Sequence, residues 1–587
     1  MTIDNYFMPE ISILSESLAN KIAAGEVIER PASVVRELID NSIDAGAKLI
    51  TVEVLHGGKK LMRVSDDGVG MSREDATLCF ERHATSKISS EDDLFNINTL
   101  GFRGEALAAI ASISKVSLTT STSDSDRGTR VDIGVGRKKQ TTDAPPLQGT
   151  SVEIRDIFYN TPARRKFLKT ISTELSHIIA TVTQKALAYP EISFHLKHNK
   201  TGIINAPAAR DIRERFIQLY SEDMINEFFE VNRQMPGLSI HGFSSSPDFT
   251  RAARGYQFIF INRRPVKNPT VSHAVYSAYD NLIPKDRYPA YFLFLDIDPH
   301  KVDVNVHPAK REVRFESQDE IHNMVAIAVK QGLHPQQEQS GTAGQITSMR
   351  AEHTGKAGLS AGGVRETLES ALGYENRSFP VSGDLQADFF TDRGPAIHRY
   401  FYIGEAFVAQ VTNDGLVIID RHAAHERVLY ERLLKKTGLE IENLFLPLRV
   451  ELPAKEFNVL TNHKDLVNEF GLDIDDFGAN NVVVRALPRE FHKADIKGLL
   501  LDIASGILDE QTSGIKGRSE KQKLVQNIAA RLACHKSVRG REHLNDEELS
   551  RLIADLDKAE VPDRCPHGRP TRVSLSLADL RKMFKRK

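Results

Sequence analysis

The feature that most constrains this fold is a long central segment with almost no large apolar side chains. From about residue 334 to residue 396 the chain consists mainly of Gly, Gln, Ser, Thr and Ala, as in "PQQEQSGTAGQITSMRAEHTGKAGLSAGG". Such a segment cannot bury enough surface to offset the entropy lost on ordering, so it predicts a flexible linker. A chain of 587 residues is also too long for one core, so several domains are expected.

The linker separates an N-terminal block from a C-terminal block, and the N-terminal block changes in character near residue 220. Helix-rich sequence gives way there to strand patterns such as "YQFIFINRRPV". We therefore predict domains at 1–220 and 221–333, a linker at 334–395, and a C-terminal domain at 396–587 with an inserted subdomain at about 455–520. Alternating helix and strand patterns make the chain a multi-domain α/β protein.

Composition excludes several classes of protein. With 40% hydrophobic and 27% charged residues, the chain resembles an ordinary soluble globular protein. No apolar run approaches the roughly 18 residues of a membrane span, and no basic region followed by an apolar core opens the sequence. The cysteines number only three, which argues against a disulfide framework and predicts a cytoplasmic protein.

A helix and two strands near the N-terminus place polar residues beside a core-facing stripe. Pro31 favours the first turn of a helix, and Glu37 and Asn41 lie four residues apart on one face. The apolar residues of that helix recur at helical spacing; they are Val34, Val35, Leu38, Ile39 and Ile43. Ile50, Val52 and Val54 then alternate as a strand, "HGGKK" predicts a hairpin turn, and "LMRVSDD" predicts the second strand.

Short glycine-containing motifs after these strands indicate a ligand site. Gly68 and Gly70 in "DDGVGM" allow the backbone to approach a ligand, and Asp66 at the strand end can accept a hydrogen bond from an exocyclic amine. Gly101 and Gly104 precede the helix "EALAAIASI", whose exposed amides suit phosphate oxygens. No GxxxxGK[ST] motif is present, so the site is not a P-loop.

Together these motifs resemble those of the MutL family of DNA mismatch repair proteins. The resemblance rests on "ELIDNSIDAGA", "DDGVGM", "RHATSKI", "LGFRGEAL" and "GTSVEIRDIFYNTPARRKFL". That family belongs to the ATPase superfamily shared with gyrase, the large heat-shock chaperone and histidine kinases. The resemblance implies an α/β-sandwich ATPase domain, a small second α/β domain with the left-handed crossover typical of that superfamily, the linker, and an α/β dimerisation and endonuclease domain.

The resemblance also implies roles for individual residues at an ATP and Mg²⁺ site. Glu37 is the implied general base for the hydrolytic water, Asn41 the Mg²⁺ ligand, and Asp66 the residue that binds adenine. Lys310 in "VDVNVHPAKREVRF" is implied to reach the γ-phosphate from the second domain. The implied pocket, lid and phosphate-closing residues are Gly70, Thr150, Thr85, Ser86, Lys87, Gly101, Phe102, Arg103 and Gly104.

Two stretches of the C-terminal block carry further chemistry next to apolar sequence. Val417, Ile418 and Ile419 predict a buried strand that ends at Asp420. The helix that follows carries His422 and Glu426 four residues apart, a spacing that lets two side chains converge on one metal ion. A later helix, with Leu524, Ile528 and Leu532 at a spacing of four, brings Cys534 and His535 near its end.

A third stretch, "CPHGRP", adds a thiol and an imidazole. Cys565 and His567 are separated by Pro566, which favours extended backbone, so their side chains are predicted to point the same way. Thiolate and imidazole ligands favour Zn²⁺, whereas carboxylates also accept Mn²⁺ or Mg²⁺. A mixed site with two metals is a plausible interpretation, and it suits phosphodiester hydrolysis.

The three stretches resemble the endonuclease motifs of the MutL branch that nicks DNA itself. The implied metal ligands are Asp420, His422, Glu426, Cys534, Cys565 and His567, with Asp420 and Glu426 also catalytic and Glu431 and His535 as weaker candidates. Arg421 stands where the family usually has Gln. The segment 442–447, "ENLFLP", resembles a motif that docks on the replication sliding clamp, with Glu442 in place of Gln; a core strand entering a turn is the alternative interpretation.

The resemblance implies a homodimer that works with the mismatch sensor MutS on double-stranded DNA. Net charge is −2, so no global basic signature for nucleic acid exists, and the implied phosphate contacts come from local clusters. They are Arg164, Arg165, Lys166, Arg263 and Arg264. One alternative is an ATP-switched scaffold whose metal site is purely structural. A gyrase-type ATPase subunit is a second, although "CPHGRP" has no place in it, and a kinase is weaker still, because no phosphoacceptor-His helix precedes the ATP site in this sequence.

Overall fold

The computed structural model describes most of the two blocks. The described residues are 28–87, 99–101, 104–134, 139–251, 253–280, 282–283, 287–303, 313–334, 400–404, 406–436, 439–492, 494–512, 518–537 and 544–584. Phe102, Arg103 and Lys310 lie outside them, as does the predicted linker, and the side chain of His535 is also outside the described part.

An eight-stranded sheet forms the first half of the N-terminal block. Its order is β5-β4-β3-β6-β2-β1-β7-β8, and all neighbours are antiparallel except β1 and β7. The strands are β1 Leu49–Leu55, β2 Leu61–Asp66, β3 Lys115–Ser121, β4 Gly128–Ile133, β5 Lys139–Ala144, β6 Gly149–Arg155, β7 Ser193–His198 and β8 Thr201–Ala206. The helices of this half are α1 Pro31–Asp44, α2 Arg73–Leu78, α3 Ala106–Ile113, α4 Pro162–Phe167 and α5 Ile171–Ala188.

The sequence patterns of the first helix and strands are confirmed. Helix α1 begins at Pro31 and buries four of the five predicted apolar residues, whereas Ile43 is half-buried. Strand β1 buries Ile50, Val52 and Val54 on one face and turns back into β2 through "HGGKK". Because helix α5 packs on α1, the polar face of α1 that carries Glu37 and Asn41 is held at one side of a continuous apolar core.

A five-stranded sheet forms the second half of the N-terminal block. Its order is β13-β12-β15-β10-β9, in which β12 and β15 run parallel with helix α8 between them in sequence. The elements are α6 Ile212–Leu219, α7 Glu222–Ile225, β9 Phe228–Met235, β10 Leu238–Ser245, β11 Thr250–Arg251, β12 Gln257–Ile261, β13 Arg264–Val266, α8 Pro269–Ala278, β14 Tyr288–Pro289, β15 Tyr291–Ile297, β16 Val302–Asp303, β17 Arg314–Phe315 and α9 Gln318–Leu333. The hand of its crossover stays a prediction.

Two smaller sheets form the C-terminal block, β18-β19-β20-β24 and β21-β23-β22. The strands are β18 Tyr400–Ile403, β19 Phe407–Thr412, β20 Gly415–Asp420, β21 Ile441–Glu451, β22 Asp473–Gly478, β23 Asn481–Pro488 and β24 Arg572–Ser576. The helices are α10 Arg421–Lys435, α11 Ala454–Asn462, α12 Lys464–Asn468, α13 Ile496–Thr512, α14 Arg518–Ser537, α15 Asp546–Asp557 and α16 Leu577–Met583. The chain is therefore a multi-domain α/β protein, as predicted.

The four-stranded sheet corrects the prediction of a fully buried strand. In β20 only one of the three predicted apolar residues, Ile419, is buried, and Ile418 and Val417 are half-buried. Ile419 faces helices α10 and α15, whereas Ile418 lies in one cross-strand row with the exposed Phe401 and Val573. The sheet therefore packs one face only and leaves an apolar face open, which sequence alternation did not reveal.

The segment "ENLFLP" lies in strand β21, and of its three predicted apolar anchors only Leu444 packs against the core. Phe445 is 99% exposed and Leu446 76% exposed, at an irregularity of β21 between Asn443 and Leu448. The alternative interpretation, a core strand, therefore holds for Leu444 but is wrong for Phe445 and Leu446. Among the described helices, none combines the length and the apolar character that crossing a bilayer requires.

Candidate functional site

Asp66 lies half-buried at the end of β2, where three donors hold its carboxylate. Ser42 Oγ donates to Oδ2 at 2.7 Å, and the amides of Gly68 and Thr150 donate to Oδ1 at 3.0 and 3.3 Å. Burial raises the pKa of Asp66, and these hydrogen bonds oppose it only in part. Thr150 faces Asp66 in the β2–β6 register, and it is the backbone amide of Thr150 that donates to Asp66.

Glycines allow the backbone to close tightly around Asp66. Gly70 has φ +69°, and a Cβ there would lie 2.0 Å from the carbonyl oxygen of Ser121. Gly104 has φ +62°, and its Cβ would lie 2.5 Å from the carbonyl oxygen of Ala84, next to the "ATSK" segment. Residues with side chains do not fit at such distances, which explains why glycine occupies both positions.

The face of α1 that carries Asn41 is tied to the predicted lid. Lys87 Nζ donates to Asn41 Oδ1 at 2.9 Å and to Asp44 Oδ2 at 2.6 Å. Asp44 also accepts from the amides of Leu100 and Gly101, at 2.9 and 3.1 Å. Glu37, one turn earlier, contacts Arg36 at 3.2 Å. The lid segments on both sides of residues 88–98 therefore converge on one end of α1.

Two residues of this site were missed by sequence reasoning. Asp44 accepts hydrogen bonds from Lys87 and from the amides that follow the lid. It lies three residues after Asn41 on the same helix, and this spacing is the sequence signal that could have identified it. Arg264, assigned to DNA, instead donates to the carbonyl oxygen of Thr99 at 2.7 Å, which joins the second half of the block to the lid. No sequence signal indicated that contact, because it spans 165 positions.

Replacing Gly70 with alanine is expected to weaken ATP binding at least about tenfold. The added Cβ would displace the backbone beside Asp66, and the positive φ alone costs about 1–3 kcal/mol. Gly202→Ala is the matched control, because a Cβ there meets nothing within 4 Å. Calorimetric titration with ATP and thermal unfolding of both variants measure the effect. Equal ATP affinity in the two variants would contradict it.

A second group of side chains meets in the C-terminal block. Ligand atoms of Glu426, Cys565 and His567 all lie within 4.8 Å of one another. His422 Nε2 lies 3.2 Å from Glu426 Oε1, and His567 Nδ1 lies 3.7 Å from Glu426 Oε2. Helix α10 supplies Glu426 and His422 on one face, and a loop before β24 supplies the other two. Carboxylate, thiolate and imidazole together fit Zn²⁺, and they tolerate Mn²⁺.

Hydrogen bonds favour the charged forms of the acidic members of this cluster. Burial would raise the pKa of Glu426, but hydrogen bonds from His422 and His567 outweigh it, so the pKa lies well below its usual range. Burial also acts to raise the pKa of the Cys565 thiol, yet hydrogen bonding from His567 lowers it overall. Glu426 is therefore available as an anionic ligand near neutral pH, and the lowered pKa of Cys565 favours its thiolate as a ligand.

The other predicted ligands lie around this cluster rather than in it. Asp420 Oδ1 accepts from the amide of Ala423 at 3.0 Å and so caps α10. Glu431 accepts from the amides of Glu560 and Val561, at 2.9 and 3.3 Å, and so fixes the chain that leads to Cys565. Cys534 is buried on α14, which packs against α10, but within the described residues it is not among the three side chains that converge.

Arg569 is a member of the cluster that sequence reasoning missed. One guanidinium nitrogen lies 3.1 Å from Oε1 and 3.2 Å from Oε2 of Glu426, whose side chain is fully buried. The signal was available, since Arg569 stands four residues after Cys565 within "CPHGRP". A guanidinium there balances the charge that Glu426 and Cys565 bring into a buried site.

The predicted DNA-contacting residues lie on two surfaces. Arg164, Arg165 and Lys166 occupy the short helix α4, where Arg165 and Lys166 are exposed and Arg164 is half-buried. Arg263 is exposed and pairs with Glu191 at 2.5 Å. Thus most of this group faces solvent, while Arg264 faces the lid.

Comparisons with known proteins cover both blocks. Residues 28–161 match the family described as histidine kinase-, DNA gyrase B- and HSP90-like ATPase. Residues 216–334 match the DNA mismatch repair protein C-terminal domain, and residues 402–544 match the MutL C-terminal dimerisation domain. The chain thus contains an ATPase domain of that superfamily and a dimerisation domain.

Whole-length relatives agree with these matches. A DNA mismatch repair protein MutL of Syntrophotalea carbinolica is 37% identical over 98% of this chain and 99% of its own length. That of Thermodesulfovibrio yellowstonii is 38% identical over 99% of this chain and 100% of its own. The Aquifex aeolicus MutL ATPase domain complexed with ADP covers 51% of this chain at 24% identity, with a TM-score of 0.36 and 98% of its own chain covered. On the two full-length matches, this chain belongs to the MutL family of DNA mismatch repair proteins.

Proposed function

We propose that this protein is an ATP-driven conformational switch in DNA mismatch repair that nicks DNA through a metal-dependent site of its own. The observation that carries the nicking half is the meeting of Glu426, Cys565 and His567 within 4.8 Å. Two metal-binding residue types come from one segment and a buried carboxylate from another, more than a hundred positions away. Bound Zn²⁺ or Mn²⁺ would supply charge to stabilise a phosphodiester undergoing hydrolysis.

In the ATPase domain, the proposed roles follow the geometry around α1. Asp66 would hold adenine, Asn41 a Mg²⁺ ion bound to the phosphates, and Glu37 the attacking water. Lys87, now on Asn41 and Asp44, would turn to the phosphates as the lid closes. Lys310 is proposed to contact the γ-phosphate from the second domain. The lid would be completed by Thr85, Ser86, Gly101, Phe102, Arg103 and Gly104.

In the C-terminal block, four proposed metal ligands lie close together; they are His422, Glu426, Cys565 and His567. Asp420, at the start of α10, and Cys534, on the adjacent α14, are proposed to join them when the ion is bound. The Glu426 carboxylate and Cys565 thiolate supply the negative charge that a divalent cation requires. Arg569 would leave Glu426 as the cation arrives, because both compete for the same oxygens.

The proposed partners are duplex DNA, the mismatch sensor MutS, the sliding clamp and a second copy of the chain, all in the cytoplasm. Exposed Arg165, Lys166 and Arg263 would contact phosphates without reading sequence. For the clamp, the fully exposed Phe445 and the neighbouring Leu446 offer apolar anchors on the surface.

Plasmid nicking tests the proposal against the alternative of a scaffold with a structural metal. Purified protein with Mn²⁺ is expected to convert supercoiled plasmid to the open-circular form, and Asp420→Asn is expected to nick at least about tenfold more slowly. Asp414→Asn, in the turn between β19 and β20, is the control. If nicks never form, or if Asp420→Asn nicks as fast as the parent, the scaffold alternative stands.

The apolar face of the four-stranded sheet is the proposed dimer contact. Five apolar side chains of that sheet are 43–64% exposed; they are Phe401, Ile403, Phe407, Val411 and Val573. Exposed apolar patches of this kind mark protein contacts, and the C-terminal dimerisation domain supplies the reason for one here.

Placing a charge on this face is expected to dissociate the dimer. Phe401→Asp removes an anchor and buries a carboxylate, which should raise the dimer dissociation constant by roughly 30-fold or more. Phe477→Asp is the matched control, because Phe477 is 63% exposed on the other C-terminal sheet. Sedimentation equilibrium gives the constants. Were both variants to dimerise like the parent, the contact would lie elsewhere.

A further inference from the structure

Two histidines from different helices meet on the surface of the second half of the N-terminal block. His273 on α8 and His322 on α9 are 49 positions apart in the sequence, yet Nδ1 of His273 lies 2.9 Å from Nε2 of His322. The centres of the two imidazole rings are 5.1 Å apart, and the ring planes are inclined by 35°. His273 is exposed and His322 is half-buried, so the pair borders solvent.

The helices beneath the pair hold both histidines in place. Helix α8 packs against α9. On α8, Val271 and Ala274 lie on either side of His273 and are fully buried. On α9, the residue before His322 is Ile321, whose side chain is 5% exposed. All three neighbours belong to one apolar core, so the two imidazoles need little further ordering to act together.

The distance between the two nitrogens matches that of neighbouring ligands on one metal ion. An imidazole nitrogen lies about 2.0–2.1 Å from a divalent transition metal such as zinc. Two such ligands at a right angle are therefore about 2.8–3.0 Å apart. The observed separation of 2.9 Å falls in that range. Right angles between nitrogen ligands are typical of tetragonal Cu²⁺ and Ni²⁺ sites.

A change of tautomer turns the hydrogen-bonded pair into a chelate. In the hydrogen bond, one ring donates its N–H and the other accepts with a lone pair. A neutral imidazole carries its proton on either of its two nitrogens. When the donor ring moves its proton to its other nitrogen, both facing nitrogens have lone pairs, and a cation between them replaces the shared proton. The pair then binds the ion without losing a proton overall.

The ligand atoms determine which cations fit. Imidazole suits Zn²⁺, Cu²⁺ and Ni²⁺, whereas Mg²⁺ and Mn²⁺ prefer oxygen ligands. Among the residues that the structure describes, no third His, Cys, Asp or Glu joins the pair with a ligand atom within 4.8 Å. Water would therefore fill the remaining positions around the ion. The C-terminal cluster differs, because it combines one imidazole with a carboxylate and a thiol.

We propose that His273 and His322 form a separate metal site, which binds one Ni²⁺, Cu²⁺ or Zn²⁺ ion and fastens α8 to α9. The site is independent of the proposed nucleotide site and of DNA nicking. The two histidines are 49 positions apart in the chain, so a cation that needs both binds the folded form and not the unfolded one. The bound ion therefore stabilises the packing of the two helices.

Equilibrium dialysis of the full-length protein against NiCl₂ measures binding to the pair. The parent is expected to hold about one more Ni²⁺ per chain than His273→Asn or His322→Asn. The double variant is expected to bind as much Ni²⁺ as either single variant, because both residues serve one ion. The C-terminal cluster and the other histidines contribute equally to every protein in this comparison.

His300→Asn is the matched control, because His300 is exposed in the same half of the block and is not part of the pair. Thermal unfolding without metal checks that each variant is folded. Equal nickel content in the parent and His273→Asn overturns the site. Loss in only one of the two single variants, or an equal loss in His300→Asn, overturns a shared chelate. Nickel that rises without saturating indicates an adventitious ion only, and this result also overturns the site.

Hydrogen exchange tests whether the ion fastens the two helices. Opening of α8 from α9 separates the histidines, so protection of their amides is expected to rise by the factor 1 + [Ni²⁺]/Kd, about threefold at twice the dissociation constant. The rise is expected in the parent and not in His273→Asn. Unchanged exchange in the nickel-saturated parent overturns the fastening. Equal protection by Mg²⁺ overturns the preference for imidazole-binding cations.

Discussion

Cys565→Ala is expected to lower metal content and to reduce Mn²⁺-dependent nicking by more than about 100-fold, since altering even the groups that support metal ligands costs roughly 10–100-fold. Cys565 is 2% exposed and supplies the thiolate of the cluster with Glu426 and His567. A buried alanine leaves the imidazole and the carboxylate without the sulfur ligand that favours Zn²⁺ over harder cations. The loss should therefore be largest for zinc.

Cys79→Ala is the matched control for this experiment. Cys79 is half-buried near the end of α2, where its thiol donates to the carbonyl oxygen of Ala76, and its pKa is raised to about 12 by burial. Elemental analysis after dialysis and plasmid nicking, both on the same samples, give the two readouts. Parent-like metal content in Cys565→Ala would remove this residue from the ligand set. Metal loss with undiminished nicking would show that the bound ion is structural.

Glu37→Ala is expected to lower the rate of ATP hydrolysis by about 10²–10⁴-fold, the usual contribution of a general base. ATP affinity should stay close to that of the parent, because the proposed adenine contact of Asp66 and the observed lid contacts of Asp44 do not involve Glu37. The side chain is 24% exposed and contacts Arg36, so its removal leaves the core of α1 intact.

Glu320→Ala, which removes an exposed acid from the first turn of α9, serves as the control for Glu37→Ala. Phosphate release under saturating ATP gives the rate, and titration calorimetry gives the affinity. A variant that hydrolyses ATP at the parent's rate would exclude Glu37 as the base. A variant that fails to bind ATP would instead assign Glu37 to positioning of nucleotide or Mg²⁺.

Local geometry explains why parts of both sites were predictable from sequence. The spacing of His422 and Glu426 by four residues fixes their proximity within one helix, and the structure places them 3.2 Å apart. The stripe on α1 and the alternation in β1 followed from helical and strand periodicity in the same way. Each of these is a property of a few consecutive residues.

Contacts between distant segments were not predictable in the same way. Six residues were assigned as metal ligands by resemblance, and Glu426, Cys565 and His567 are the three whose ligand atoms meet within 4.8 Å. The contact of Arg264 with the lid emerged only from packing, whereas Asp44 and Arg569 stand close in sequence to predicted site residues but were not assigned. The open face of the four-stranded sheet was hidden because apolar residues on both faces of β20 look the same as a buried strand.

The amino-acid sequence by itself determined the helix and strand of the proposed nucleotide site and the family motifs, and it predicted the division into two blocks. These depend on periodicity, turn chemistry and composition, which act over a few residues. Only the tertiary structure decided which acids, thiols and imidazoles meet and which apolar face stays open. Those outcomes depend on how surfaces far apart along the chain pack together, and burial of apolar area is non-directional, so no local pattern specifies the partner.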